Sequence, residues 1–169
     1  AFARMCTGFG TRILAWDRSP HTKTTDGMDV TFVDMDTLLA ESDFVSIHVA
    51  LSDTTRHLIG AAELKKMKPT AILVNSARGP VVDTDALVEA LQGGEIFAAG
   101  LDVTDPEPIP ADHPLVHMPN CVVIPHIGSA TTQTRNAMAE LAANNLVAVL
   151  QGRQPEAILN PEVLENLTP

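Results

Sequence analysis

The chain has 169 residues, 45% of them hydrophobic, with a formal net charge of −10 and a pI near 4.8. A chain of this length can bury roughly 70% of its unfolded surface, enough for a self-contained core. The acidic balance opposes a nucleic-acid partner, since phosphate binding is driven by Lys and Arg; no apolar run approaches the ~20 residues of a membrane span, and no signal-peptide pattern opens the chain.

In chain order, Ala1 to Met5 reads as helix interior with no N-cap before it, as though a longer sequence had been cut there. Gly8 and Gly10 suit a left-handed cap at its C-terminal end. Arg12 to Trp16 is a short buried strand closed by Asp17, and Val30 to Val33 is a second, leading into a helix-like Asp36 to Ala40. Phe44 to Val49 is the next strand, followed by a polar loop through Ser52 to Thr55. A short helix from Ala61 to Met67 stops at Lys68-Pro69. Ala71 to Asn75 is a strand, and Asp83-Thr84-Asp85 caps a helix reaching Leu91. Ile96 to Asp102 is a strand introduced by the Gly93-Gly94 turn, and the proline-rich Asp105 to Pro119 reads as an ordered surface loop. Cys121 to Ile124 is the last strand. Thr132 to Leu150 is a long helix whose Leu and Val spacing is what core packing requires, while Asn144-Asn145 suggest burial against another domain or subunit.

Apolar strands alternating with helices predict an α/β fold with a doubly wound parallel sheet covered on both sides. Ligands of such sheets bind beyond the carboxyl ends of the strands, which directs attention to the residues after Trp16, Val49, Asn75, Asp102 and Ile124. Asp17 is either a turn aspartate or an acceptor for the ribose hydroxyls of a dinucleotide. In the second case a Gly-rich phosphate loop belongs about 20 residues earlier, upstream of Ala1. Arg18 pulls the other way, since a guanidinium can grip a 2′-phosphate, so NAD is expected with NADP possible. Arg78 is either a surface arginine paired with Asp83 or Asp85, or a planar fork for a substrate carboxylate.

Among the six histidines, His126 follows Pro125 at a strand end and is the best acid–base candidate, with Glu107, between two prolines, as the carboxylate that orients it. Asp102 could approach the same crevice. His21, His57, His113 and His117 read as solvated, and His48, within a strand, as a satisfied core or backbone-bonding histidine. Cys6 and Cys121 form neither a disulfide framework nor a zinc site; both read as small apolar residues, which points to a reducing cytoplasm and to no metal.

Three segments together resemble the D-isomer-specific 2-hydroxyacid dehydrogenase family: Val74 to Gly79, Gly100 to Val103 with Glu107-Pro108, and Pro125 to Thr131. Within the family, the runs His113-Pro114-Leu115, Asn120-Cys121-Val122, Arg135 to Met138 and Ala142 to Leu146 are most similar to glyoxylate/hydroxypyruvate reductases. The resemblance implies a Rossmann-type nucleotide-binding domain, with Arg78 binding substrate, Glu107 as orienting acid and His126 as proton donor. It further implies dinucleotide contacts from Asp17, Val49, Ala50, Thr55, Ser76, Ala77, Arg78, Asp102, His126 and Gly128. Ala50 departs from the family's usual proline. Residues 1–150 are then an incomplete NAD(P)-binding domain lacking its first strand and Gly-rich loop, and 151–169 a tail returning toward a substrate domain. A small 2-oxo or 2-hydroxy acid and a homodimer are the implied partners. The family also contains 3-phosphoglycerate dehydrogenases and NAD-sensing corepressors, which remain alternatives, and the fragment alone is expected to be inactive.

Overall fold

The structure is a computed structural model that describes residues 1–18 and 27–166. His21 lies outside the described residues. The chain forms two compact units, Ala1–Pro125 and His126–Pro169.

The first unit alternates strand and helix. Helix α1 (Phe2–Thr7) leads to β1 (Ile13–Ala15), and β2 (Val30–Phe32) to α2 (Met35–Glu41). Then come β3 (Phe44–Ile47), the short α3 (Ala61–Leu64), β4 (Ile72–Asn75), α4 (Thr84–Gly93), β5 (Ala98–Leu101), a four-residue α5 (Pro114–His117) and β6 (Cys121–Val123). All pairings are parallel, in two sheets ordered β1-β2 and β3-β4-β5-β6. The α/β parallel architecture expected from the sequence is therefore the one observed. Each strand is shorter than its apolar run: β2, β3 and β6 end one or two residues early, β4 starts one residue late, and β1 and β5 are trimmed at both ends.

The register explains the core. Val45, Leu73, Ala99 and Cys121 form one cross-strand row, and Ile47, Asn75, Leu101 and Val123 the next. With a side-chain period of two, both rows lie on one face of the sheet. Most of these residues are buried, in one apolar cluster with Leu39 of α2, Leu64 of α3, Leu87 and Leu91 of α4, and Leu115 of α5.

Helix starts follow the expected capping chemistry. Asp34 accepts from the Thr37 amide and Asp83 from the Ala86 amide, satisfying donors that a first turn leaves orphaned. The bond from Thr37 also holds the Asp34 carboxyl below the usual carboxylate range. Gly94 ends α4 at φ 69°, the left-handed conformation its lack of a Cβ permits.

Three local expectations are corrected. Gly8 caps α1 in the right-handed region at φ −64°, and the left-handed turn comes at Gly10, φ 67°. The stretch 105–119 is not all loop, since Pro114 at the first helical position and His113 Nδ1, accepting from the Leu115 amide at 3.3 Å, start α5. His113 is thus a cap, and His117 Nε2 lies 2.9 Å from the Ala111 carbonyl, so neither ring is merely solvated.

Cys121 is buried, and burial pushes its thiol up to about 11. It should resist iodoacetamide at neutral pH while half-buried Cys6 reacts, and become labelled on unfolding; mass spectrometry of native and denatured samples checks this. An unfolded thiol ionises near 8.5, ahead of the folded one, so stability falls as pH rises from about 8.5 toward 11.

In the second unit, α6 (Thr132–Leu150) begins at a Thr131 cap that accepts from the Thr134 amide, at the boundary the sequence predicts. The polar pair in this helix has a use within the chain. Asn145 Oδ1 accepts from the Glu156 and Ala157 amides at 3.0 and 3.3 Å, which folds the start of the tail back along α6. Among the described residues, no helix is long and apolar enough to cross a membrane.

Candidate active site

The carboxyl ends of the strands carry most of the residues singled out by the sequence. Asp17 and Arg18 follow β1, and the Arg18 guanidinium donates to Thr54 Oγ1 at 2.9 Å. That bond joins the loop after β1 to the loop after β3, so the ends of the two sheets meet there. In the β3 loop, the Thr55 hydroxyl donates to the Ala50 carbonyl at 2.7 Å and accepts from the Ser52 amide at 2.8 Å. A polar turn with its own side-chain bonds keeps this shape without proline, so Ala50 does not leave the loop unsupported. His48, beyond the end of β3, is exposed rather than a core histidine: its Nε2 lies 2.9 Å from Ser46 Oγ, and its ring lies 5.5 Å from that of Phe2.

The β3 loop then crosses to the β4 loop. The His57 amide donates to the Pro80 carbonyl and the Ile59 amide to Val81. His57 Nδ1 lies 3.6 Å from Asp83, so this ring too has a partner. Asp83 is therefore occupied by His57 and by the α4 amide, while Arg78 donates to the Ala77 carbonyl at 2.6 Å and presents an exposed side chain. The surface pairing of Arg78 with Asp83 does not form.

What shapes the Arg78 turn is Asn75. It is 1% exposed, in a row that is otherwise apolar, and a polar group so placed is costly unless bonded. Its Oδ1 accepts from the Ala77 amide at 3.1 Å and its Nδ2 donates to the Arg78 carbonyl at 2.9 Å. Ser76 and Ala77 are thereby fixed at the strand end. The Asn75 carbonyl also accepts from the Asp102 amide, which starts the next loop beside it.

Asp102, Val103 and Thr104 are buried, and the chain emerges at Pro106 and Glu107, with the Asp105–Pro106 and Glu107–Pro108 bonds both cis. Arg56 lies 4.0 Å from Asp105, linking the β3 and β5 loops. His126 opens the second unit with φ 51°, and Ile127 accepts from the Ala130 amide in the turn that contains Gly128. Asp17, Val49, Ala50, Thr55, Ser76, Ala77, Arg78, Asp102 and Glu107 thus belong to one chain of strand-end loops in the first unit, while His126 and Gly128 belong to the second. Asn75, Thr84 and Thr104 escaped the sequence reading as contributors. An Asn closing an apolar strand is the one local signal that could have flagged this turn.

These loops carry polar groups at the strand ends where a parallel sheet binds its ligands. Half-buried Asp17 offers an acceptor carboxylate after β1, and the β4 and β5 loops offer exposed polar groups. The Gly8-Phe9-Gly10 run precedes β1, at the amino end of that strand, and so is not placed as a phosphate loop. No cluster of three His, Cys, Asp or Glu able to hold a metal occurs among the described residues.

A parallel α/β sheet with such a row of carboxyl-end loops has the doubly wound, Rossmann-type architecture. Residues 1–128 match the family described as D-isomer specific 2-hydroxyacid dehydrogenase, NAD binding domain, and the chain belongs to that family. It is 51% identical over 166 residues to a glyoxylate reductase of Thermofilum pendens, covering 98% of this chain and 49% of that protein. It is 50% identical over 158 residues to glyoxylate/hydroxypyruvate reductase B of Serratia proteamaculans, covering 94% and 49%. The crystal structure of D-lactate dehydrogenase with NAD+ from Lactobacillus jensenii superposes with a TM-score of 0.82 at 35% identity, covering 93% of this chain and 51% of that one. The chain spans about half the length of the curated relatives it matches.

Proposed function

We propose that the protein is an NAD(P)-dependent D-2-hydroxyacid dehydrogenase that reduces a small 2-oxo acid, glyoxylate or hydroxypyruvate, to the D-2-hydroxy acid. The observation that carries this reading is the pair of adjacent strand-end loops bearing Arg78 and Glu107, in a chain of the 2-hydroxyacid dehydrogenase family. The names of the two relatives support the choice of substrate.

A bound nicotinamide supplies the hydride; the chain's residues bind, orient and deliver a proton. Arg78 holds the substrate carboxylate with its planar fork and polarises the neighbouring carbonyl. His126 gives its proton to the developing alkoxide oxygen, and Glu107 favours the charged imidazole; in the reverse direction the neutral ring takes the proton back. Asp17 accepts from the adenosine ribose hydroxyls. Val49, Ala50, Thr55, Ser76, Ala77, Asp102 and Gly128 make the remaining dinucleotide contacts.

Among the described residues β1 pairs only with β2 and β3 only with β4, which supports one further parallel strand between β1 and β3, with the Gly-rich loop after it. We take residues 1–150 as this nucleotide-binding domain and 151–169 as the return toward a substrate domain, in a cytoplasmic homodimer. Steady-state oxidation of NADH and NADPH by the whole protein, with glyoxylate and with hydroxypyruvate, tests the function. Turnover of at least about 1 s⁻¹ with one pair is expected. Negligible turnover with retained NADH binding would refute it in favour of an NAD-sensing binding protein.

A further inference from the structure

The loop that carries Glu107 leaves the sheet after the Asp102 amide, and two hydroxyls hold its next main-chain groups. Thr84 Oγ1 donates to the Asp105 carbonyl at 2.9 Å, across 21 residues of sequence, and Thr104 Oγ1 donates to the Pro106 carbonyl at 2.9 Å. Thr84 is the first residue of α4, immediately after the Asp83 cap, so the helix that follows the Arg78 loop reaches over to the Glu107 loop. Beneath this bond the two backbones touch. A Cβ on Gly79 would stand 1.9 Å from the Thr104 carbonyl oxygen, so only glycine permits the approach. The cavity under the seam, among Asn75, Gly79, Thr84, Thr104 and Asp105, measures about 10 Å³, room for no more than one water.

We propose that Thr84 is a positioning residue, whose hydroxyl, above the contact of Gly79 with Thr104, sets the Glu107-bearing loop against the Arg78-bearing loop. Its kinetic consequence rests on the dehydrogenase reading above; its structural consequence does not. Thr84→Val keeps the shape of the side chain and removes the donor, and Thr84→Ser restores the donor.

In the whole protein, hydrogen exchange should quicken about tenfold in Thr84→Val at the Asp102 amide, which donates to the Asn75 carbonyl where the loop leaves the sheet, and return toward wild type in Thr84→Ser. For reduction of the 2-oxo acid, kcat should fall about tenfold in the Val variant, as expected of a misplaced catalytic group, with the NADH dissociation constant within about twofold and kcat recovered in the Ser variant. Unchanged exchange at the Asp102 amide, or a Ser variant that exchanges like the Val one, would overturn the proposal. So would equal losses in kcat, NADH binding and melting temperature, which mark general damage. Should the wild-type protein not reduce 2-oxo acids, the functional reading fails by itself, and the exchange measurement decides the role of Thr84.

Discussion

His126→Gln in the whole protein is expected to lower kcat for 2-oxo acid reduction by about 10²- to 10⁴-fold, the range contributed by a positioned proton donor. Glutamine keeps polar atoms near those of the ring and retains a donor, yet has no proton that it can give up at neutral pH. The backbone at this position stands at φ 51°, uncommon for a residue with a Cβ, although histidine tolerates it better than most. Glutamine is a poorer fit there, so a small loss of stability is expected and is separable by thermal unfolding. On the reading proposed above, most dinucleotide contacts come from the β1, β3 and β4 loops of the first unit, so the NADH dissociation constant should change by less than about twofold. Turnover like that of wild type would remove His126 from the mechanism.

Gly79→Ala should be the most damaging small substitution in the first unit. The added methyl would meet Thr104 O at 1.9 Å, Thr104 C at 2.1 Å and Asp105 N at 2.8 Å. All three are main-chain atoms, so no rotamer change relieves the overlap and the loops must part. Thr104 is buried and Gly79 lies in the first turn after Arg78, which leaves little room to move. A cost of about 3 kcal/mol is expected, at the upper end for overpacking, lowering the melting temperature by roughly 6–12 °C for a domain of this size. Calorimetry checks it, and a variant melting within about 1 °C of wild type would mean that the contact is easily relaxed.

The parallel sheet was legible in the sequence because its central strands are unbroken apolar runs such as Ala71-Ile72-Leu73-Val74, although alternate residues of β4 and β5 are fully buried and the rest half-buried. The bounds of α6 were legible because Thr131 is an ordinary N-cap. Four-residue α5 was not, since prolines at 106, 108, 110 and 114 hide one helical turn. Legibility of the candidate site divides in the same way. Strand ends could be counted from the sequence, which placed Asp17, Arg78 and Asp102. The bonds that shape the loops join Thr84 to Asp105, Arg18 to Thr54 and His57 to Pro80, and separations of 20 to 40 residues leave no local pattern. Histidine was misread for a related reason: the partners of His57, His113 and His117 depend on turns that composition does not reveal.

The division into a four-stranded and a two-stranded sheet has a dynamic consequence. β1 and β2 have three residues each, every one half-buried or exposed, and a lone pair of strands is marginal in water. The β3–β6 sheet instead rests on a common apolar cluster. In the chain by itself, local opening should therefore cost least around Ala15 and Asp17 and most around Leu73 and Leu101. On the reading proposed above, a dinucleotide offered to the chain by itself would spend part of its binding energy ordering the β1 loop, while the Arg78 and Glu107 loops stand ready before it arrives.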